Sequence, residues 1–250
     1  MRYITDPGPW LQYRKKPGNE KLSLHEATQK YKHESMFYDL QNQAPMHAAH
    51  AGKTKPAFGP GESGRIILRN AVSLWESDRQ TALAHYGDIN TWDVSRVTSM
   101  AEVFFGLLNF NSVIDNWNTS NVTNMTAMFY GAQAFNGDLS TWNVEKVTSM
   151  TEMFNDATSM RVDSLSTWNP FSLTVATGFM TLADTVQNTA DYDLLLIAWG
   201  AHAAAGEIPA NIGDVDFGAV KFTKATSDAA TGHGQLVTRG FDPVDGGATT

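Results

Sequence analysis

Trp92, Trp117, Trp142 and Trp168 stand 25, 25 and 26 residues apart, and this spacing restricts the fold more than any other feature of the chain. Self-similarity at a fixed period marks repeat architectures, in which a single unit cannot bury its own apolar side chains and must stack on its neighbours. Other columns keep the same step: Val97, Val122 and Val147; Thr98, Thr123 and Thr148; Met100, Met125 and Met150; Phe104, Phe129 and Phe154; Phe110 and Phe135. Leu173, Thr174 and Met180 continue the series one residue out of step, so three to four copies are present.

Within a copy the run Val-Thr-x-Met-x-x-Met-Phe, as in Val122 to Phe129 and Val147 to Phe154, places apolar residues at i, i+3, i+6 and i+7, one face of a helix. Thr123 and Thr148 can cap such helices by accepting a backbone N–H that lacks an intrahelical partner. Asn116 to Asn118 and Asp138 to Val144 alternate polar with apolar residues and read as short strands. The pattern therefore predicts an α/β repeat: a leucine-rich-repeat-like solenoid of about 25-residue strand and short-helix units, with helical caps. A helix of two or three turns does not stand alone in water, so burial must come from stacking Met, Phe and Trp on the same residues of the next copy.

Residues 1–63 have no counterpart in the repeat and hold six of the nine prolines, Pro7, Pro9, Pro17, Pro45, Pro56 and Pro60. They read as an extended arm with one helix over about residues 23–43, where Ser23 and Glu26 form a capping box and Leu24, Ala27, Tyr31 and Tyr38 share a face. Residues 64–90 are expected to be an N-terminal cap, 91–180 the repeats and 181–250 a C-terminal cap. Trp10, Tyr13, Tyr31, Phe37 and Tyr38 make the arm more aromatic than a free tail, and they are expected to anchor it to a protein partner in a larger assembly.

Charge divides the chain in the same place. Residues 1–60 carry nine basic and five acidic side chains, a net +4, and residues 61–250 carry nine and twenty-one, a net −12. An acidic body repels phosphates, so nucleic acid is not an expected partner. No apolar run is long enough for a membrane helix, the first residues have no apolar signal core, and membrane insertion is not expected. The absence of cysteine excludes disulfides, thiolate zinc sites and cysteine nucleophiles.

The consensus Trp-Asp/Asn-Val-Ser-x-Val-Thr-x-Met-x-x-Met-Phe-x-x-Ala-x-x-Phe-Asn-x-Asp-Leu-Ser-x-Trp resembles the BspA-like leucine-rich-repeat surface proteins, a repeat also known from Mycoplasma-type lipoproteins. Leu68 to Trp75 with Ala84 to Ile89 resemble the family's N-terminal cap. Asp191 to Trp199 with Gly240 to Gly247 resemble its C-terminal cap. The resemblance implies surface display and adhesion, and it carries over no catalytic residue. The copies depart from the consensus at Val103-Phe104-Phe105 and at Trp168-Asn169-Pro170-Phe171.

Chemistry-bearing motifs are scarce. Asn118, Asn121 and Asn124 open glycosylation sequons, but asparagines at turns more commonly bond neighbouring backbone groups. Asp214 to Asp216 and Asp242 to Asp245 lack the spacing of a calcium loop, and His47, His50, His202 and His233 lack a carboxylate at metal-ligand spacing. No nucleophile elbow, phosphate loop or dinucleotide fingerprint is present, so no enzyme, catalytic residue, metal or cofactor is expected. The expected function is a non-enzymatic structural or binding protein displayed on an assembly such as a phage virion through its arm. The alternative is a cell-surface adhesin for a host-surface protein or glycan. The expected recognition surface lies between the core columns, at Arg96, Glu102, Asn121, Thr126, Glu145, Lys146 and Glu152.

Overall fold

A computed structural model describes residues 58–181, 189–208, 213–216, 228–238 and 241–244. All lie within one unit, Gly52–Thr250. The arm residues Trp10, Tyr13, Tyr31, Phe37 and Tyr38, and the helix expected over residues 23–43, lie outside the described residues.

The described part begins with two helices. In α1, Gly61–Ser77, the apolar positions Leu68, Ala71, Val72 and Trp75 follow helical spacing and are all buried. Asp78 ends α1 by donating its N–H to the Leu74 carbonyl at 2.7 Å, and it starts α2, Arg79–Tyr86, by accepting from the Thr81 N–H.

Residues 92–181 correct the expected secondary structure. They contain no α-helix and no strand longer than a single bridged residue, so the strand-and-helix solenoid anticipated from the sequence is not what forms. The segments expected as helices are chains of tight turns. Glu102, Ala127 and Glu152, one per copy, have φ between 51° and 60°, and Gly178 follows in the last copy at 67°. Four residues further on, Gly106, Gly131 and Asp156 are left-handed again. A left-handed residue every fourth position stops a helix from propagating, while i to i+3 turns still bring the apolar residues to one side.

The backbone amides that a helix would use internally are divided between turns and neighbours. Met125, Ala127, Phe129 and Gly131 each donate to the next copy, to the carbonyls of Ser149, Thr151, Met153 and Asn155, at 2.8 to 2.9 Å. Met128, Tyr130 and Ala132 between them donate back within their own turns. The same alternation links residues 100–106 to 124–130 and residues 150–156 to 175–181. Each copy is thus a rung joined edge to edge to the next, with parallel bridges Ser99 to Asn124, Asn124 to Ser149 and Ser149 to Val175.

The rungs bury continuous files of rings. Trp117 and Trp142 stack with centroids 6.3 Å apart and planes 2° from parallel, and Phe104, Phe129 and Phe154 follow at 4.8 and 5.4 Å. One carbonyl per rung accepts twice. Ile114 O receives the Trp117 backbone N–H and the Trp142 indole N–H, and Leu139 O receives those of Trp142 and Trp168. Buried indoles are thereby satisfied, as burial of a donor requires.

Beyond the rungs lies α3, Thr189–Ala204, whose Trp199 donates its indole N–H to Leu165 O at 3.1 Å and so takes the place of a further repeat tryptophan. Helix α4, Asp228–Thr238, crosses α3 at two glycines, since a Cβ on Gly232 would come within 2.1 Å of the Leu196 carbonyl oxygen. Two four-residue strands, β1 (Gly213–Asp216) and β2 (Phe241–Val244), pair in parallel.

Candidate functional site

The residues expected to form a recognition surface fall at two places in each rung. Arg96, Asn121, Glu145 and Lys146 lie exposed on the turn after the tryptophan. There Lys146 Nζ donates to Asn121 Oδ1 at 2.8 Å, and Asn121 Nδ2 donates to the Ser95 carbonyl at 2.9 Å. Glu102, Thr126 and Glu152 are half-buried in the left-handed turns; Glu102 pairs with Arg69 of α1 at 3.4 Å, and Thr126 shares a hydrogen bond with Ser149. None of the seven lines a described cavity.

The sequon asparagines are engaged in backbone bonds. Asn118 and Asn124 accept the N–H two residues on, from Ser120 and Thr126, and Asn121 ties to Ser95. Threonines form a second file, with Thr123, Thr148 and Thr174 each donating a hydroxyl to the corresponding carbonyl of the preceding rung at 2.8 to 3.0 Å.

The described cavities lie instead on the edge where one rung passes into the next. One, of about 470 Å³, is lined by Asn136, Asp138, Ser140, Arg161, Asp163 and Ser164. The Arg161 guanidinium bonds to Asp191 of α3, and its Nε stands 4.0 Å from Asp163 Oδ1. Enclosed in this wall, Arg161 Nε and Ser164 Oγ have no hydrogen-bond partner in the protein.

The second cavity, of about 370 Å³, is lined by Trp75, Ile89 and Val113 on its apolar side and by Arg79, Asp88, Asn109, Asn111 and Ser112 on its polar side. The Arg79 guanidinium carbon lies over the Trp75 ring, 4.6 Å from its centroid, a cation–π arrangement. Trp75 Nε1 and Arg79 both donate to Ser112 Oγ, at 2.9 and 3.1 Å, which leaves the Ser112 proton to be donated elsewhere. The two cavities adjoin: Asn111 of one accepts the backbone N–H of Asn136 of the other at 3.0 Å.

This edge escapes a reading based on repeat columns. At two of its positions one rung departs from the others, Arg161 against Asn111 and Asn136, and Val113 against Asp138 and Asp163, while the buried columns beside it stay apolar. The signal that could have found it is this departure, above all an arginine where the other rungs carry asparagine. Among the described residues no group of three or more His, Asp or Glu is placed to hold a metal ion, and no helix is long and apolar enough to cross a membrane.

Comparison with curated proteins gave no match, and comparison with solved structures gave none. Residues 74–192, from the end of α1 through the rungs to the start of α3, match the family model described as Mycoplasma protein of unknown function, DUF285.

Proposed function

We propose that this chain is a non-enzymatic binding protein whose rungs present their junction edge to a partner, while residues 1–63 fasten it to a larger assembly such as a phage virion. The observation that carries the binding role is the pair of adjoining cavities on an edge where single residues, Val113 and Arg161, depart from the repeat while the core beside them stays apolar. A scaffold locked by ring files and rung-to-rung amides tolerates such variation, because edge side chains contribute little to the core. The composition of the arm supports fastening: it is net basic, aromatic and rich in proline, opposite in charge to the body.

The test is to compare the full chain with a chain lacking residues 1–57. Loss of co-sedimentation with the parent assembly, with partner binding by the body retained, is the expected result; incorporation without the arm overturns the fastening role. A second reading, display on a cell surface as an adhesin, is favoured by the similarity of residues 74–192 to a Mycoplasma family. It differs in expecting cell binding by the body alone and no assembly to join.

A further inference from the structure

We infer that the outer face of α3 pairs with the same face of a second copy of this chain, the two helices running antiparallel about a two-fold axis near residue 199. The inference is independent of the junction edge. On its inward side α3 places Tyr192, Leu195, Trp199 and Ala203 in the core, all buried. Its outward side carries Ala190, Leu194, Ile197, Ala201 and Ala204, every one exposed, with Leu194 54% accessible. From Leu194 to Ala204 there is no Asp, Glu, Lys or Arg. A surface helix turns its polar residues away from the core, whereas a helix that is apolar all round is one that is covered all round. The outward positions step by four, three, four and three residues, the spacing of a seam that faces another helix.

The order of sizes along the seam identifies the occupant. The large side chains, Leu194 and Ile197, precede the small ones, Ala201 and Ala204. In an antiparallel pair Leu194 of one copy faces Ala204 of the other and Ile197 faces Ala201, and the two-fold axis repeats both contacts, so each large side chain meets a small one and the layers fill evenly. A parallel pair sets leucine on leucine and alanine on alanine, which holds the helices apart at one end and leaves voids at the other. Antiparallel helices also bring opposite ends of their macrodipoles together. The acidic and basic residues of α3 are Asp191 and Asp193 alone, and a lipid surface would favour basic residues beside the seam. The sixteen residues of α3 make a strip about 24 Å long and 10 Å wide, well short of the ~800 Å² per partner of a standard interface. The pair is therefore reversible and forms where copies are held close together.

The experiment is sedimentation of the full-length chain across a wide range of concentration, with Ile197→Glu, Ala201→Leu and the double variant Ile197→Ala/Ala201→Leu alongside. The expected result is a monomer–dimer equilibrium that Ile197→Glu abolishes without lowering the melting temperature of the monomer, in which Ile197 is exposed. Ala201→Leu adds apolar surface yet should weaken the dimer about tenfold or more, because it closes the gap that receives Ile197. The double variant exchanges the large and small members of that layer and should restore the dimer to within about threefold. The chain has no cysteine, so Ala190→Cys reports orientation: positions 190 of an antiparallel pair stand ~27 Å apart and form no disulfide. A monomer at every concentration, a dimer indifferent to Ile197→Glu, a stronger dimer in Ala201→Leu or a disulfide-linked dimer of Ala190→Cys each overturns the inference. Flotation with phosphatidylcholine vesicles by a chain that stays monomeric does so too, and assigns the face to lipid.

Discussion

The left-handed column, Glu102, Ala127, Glu152 and Gly178, sets the shape of every rung, yet in three of four copies it is occupied by a residue with a Cβ. That conformation costs a non-glycine residue ~1–2 kcal/mol, and the amide bonds from residues 102, 127 and 152 to the next rung hold it in place. Glu152→Gly repeats what the chain already does at 178 and should raise stability by about 1 kcal/mol in chemical denaturation. A neutral or destabilising result would mean the glutamate's own contacts outweigh the strain. Tyr130, buried against Phe105 and Ala127, is a second test at this scale. Burial first, then the nearby carboxylates of Glu152 and Asp156, push its phenol up to about 12. Since the folded phenol ionises later than the unfolded one, its contribution is intact below pH ~10 and is lost as pH rises through 12. Absorbance titration should show one tyrosinate appearing near the upper value, absent in Tyr130→Phe, and a normal titration of Tyr130 would contradict the burial described.

At the level of elements, a rung is closed by a carbonyl that accepts from its own tryptophan backbone and from the following indole. Trp142→Phe removes the bond to Ile114 O and part of the ring file, at a cost of about 1–3 kcal/mol. Trp199→Phe, in a helix rather than a rung, should cost about the same if α3 ends the stack by imitating a rung. Equal losses in thermal melts support that imitation; a silent Trp199→Phe rules it out. The columns of Trp, Val, Met and Phe were legible in the sequence because burial fixes residue type at a fixed step. The elements between them were not. Spacing of i, i+3, i+6 and i+7 is met equally by a helix and by successive turns, and the left-handed positions that decide between them carry Glu, Ala and Glu, which give no sign of φ above zero. Gly106 and Gly131 were a hint, weakened by Asp156 in the third copy. The junction cavities were illegible for the converse reason. Single residues among them, Val113 and Arg161, break the repeat, and reading by columns discards what differs.

For the whole molecule, the backbone and ring contacts of the rungs run mainly between neighbours, so stability accumulates interface by interface, with α1 and α2 at one end and α3 at the other. The described body lies in the acidic part of the chain, where nine basic side chains face twenty-one acidic ones, whereas the nine basic side chains of residues 1–60 outnumber five acidic ones. The doubly accepting carbonyls have a historical implication. Ile114 and Leu139 present the same acceptor to the indole that follows, so a 25-residue segment duplicated in frame between them meets compatible surfaces on both sides. Length in such a chain is a heritable variable separable from foldability, and a gene encoding it can lengthen its contact edge by copying a stretch of itself and only afterwards diversify the new side chains.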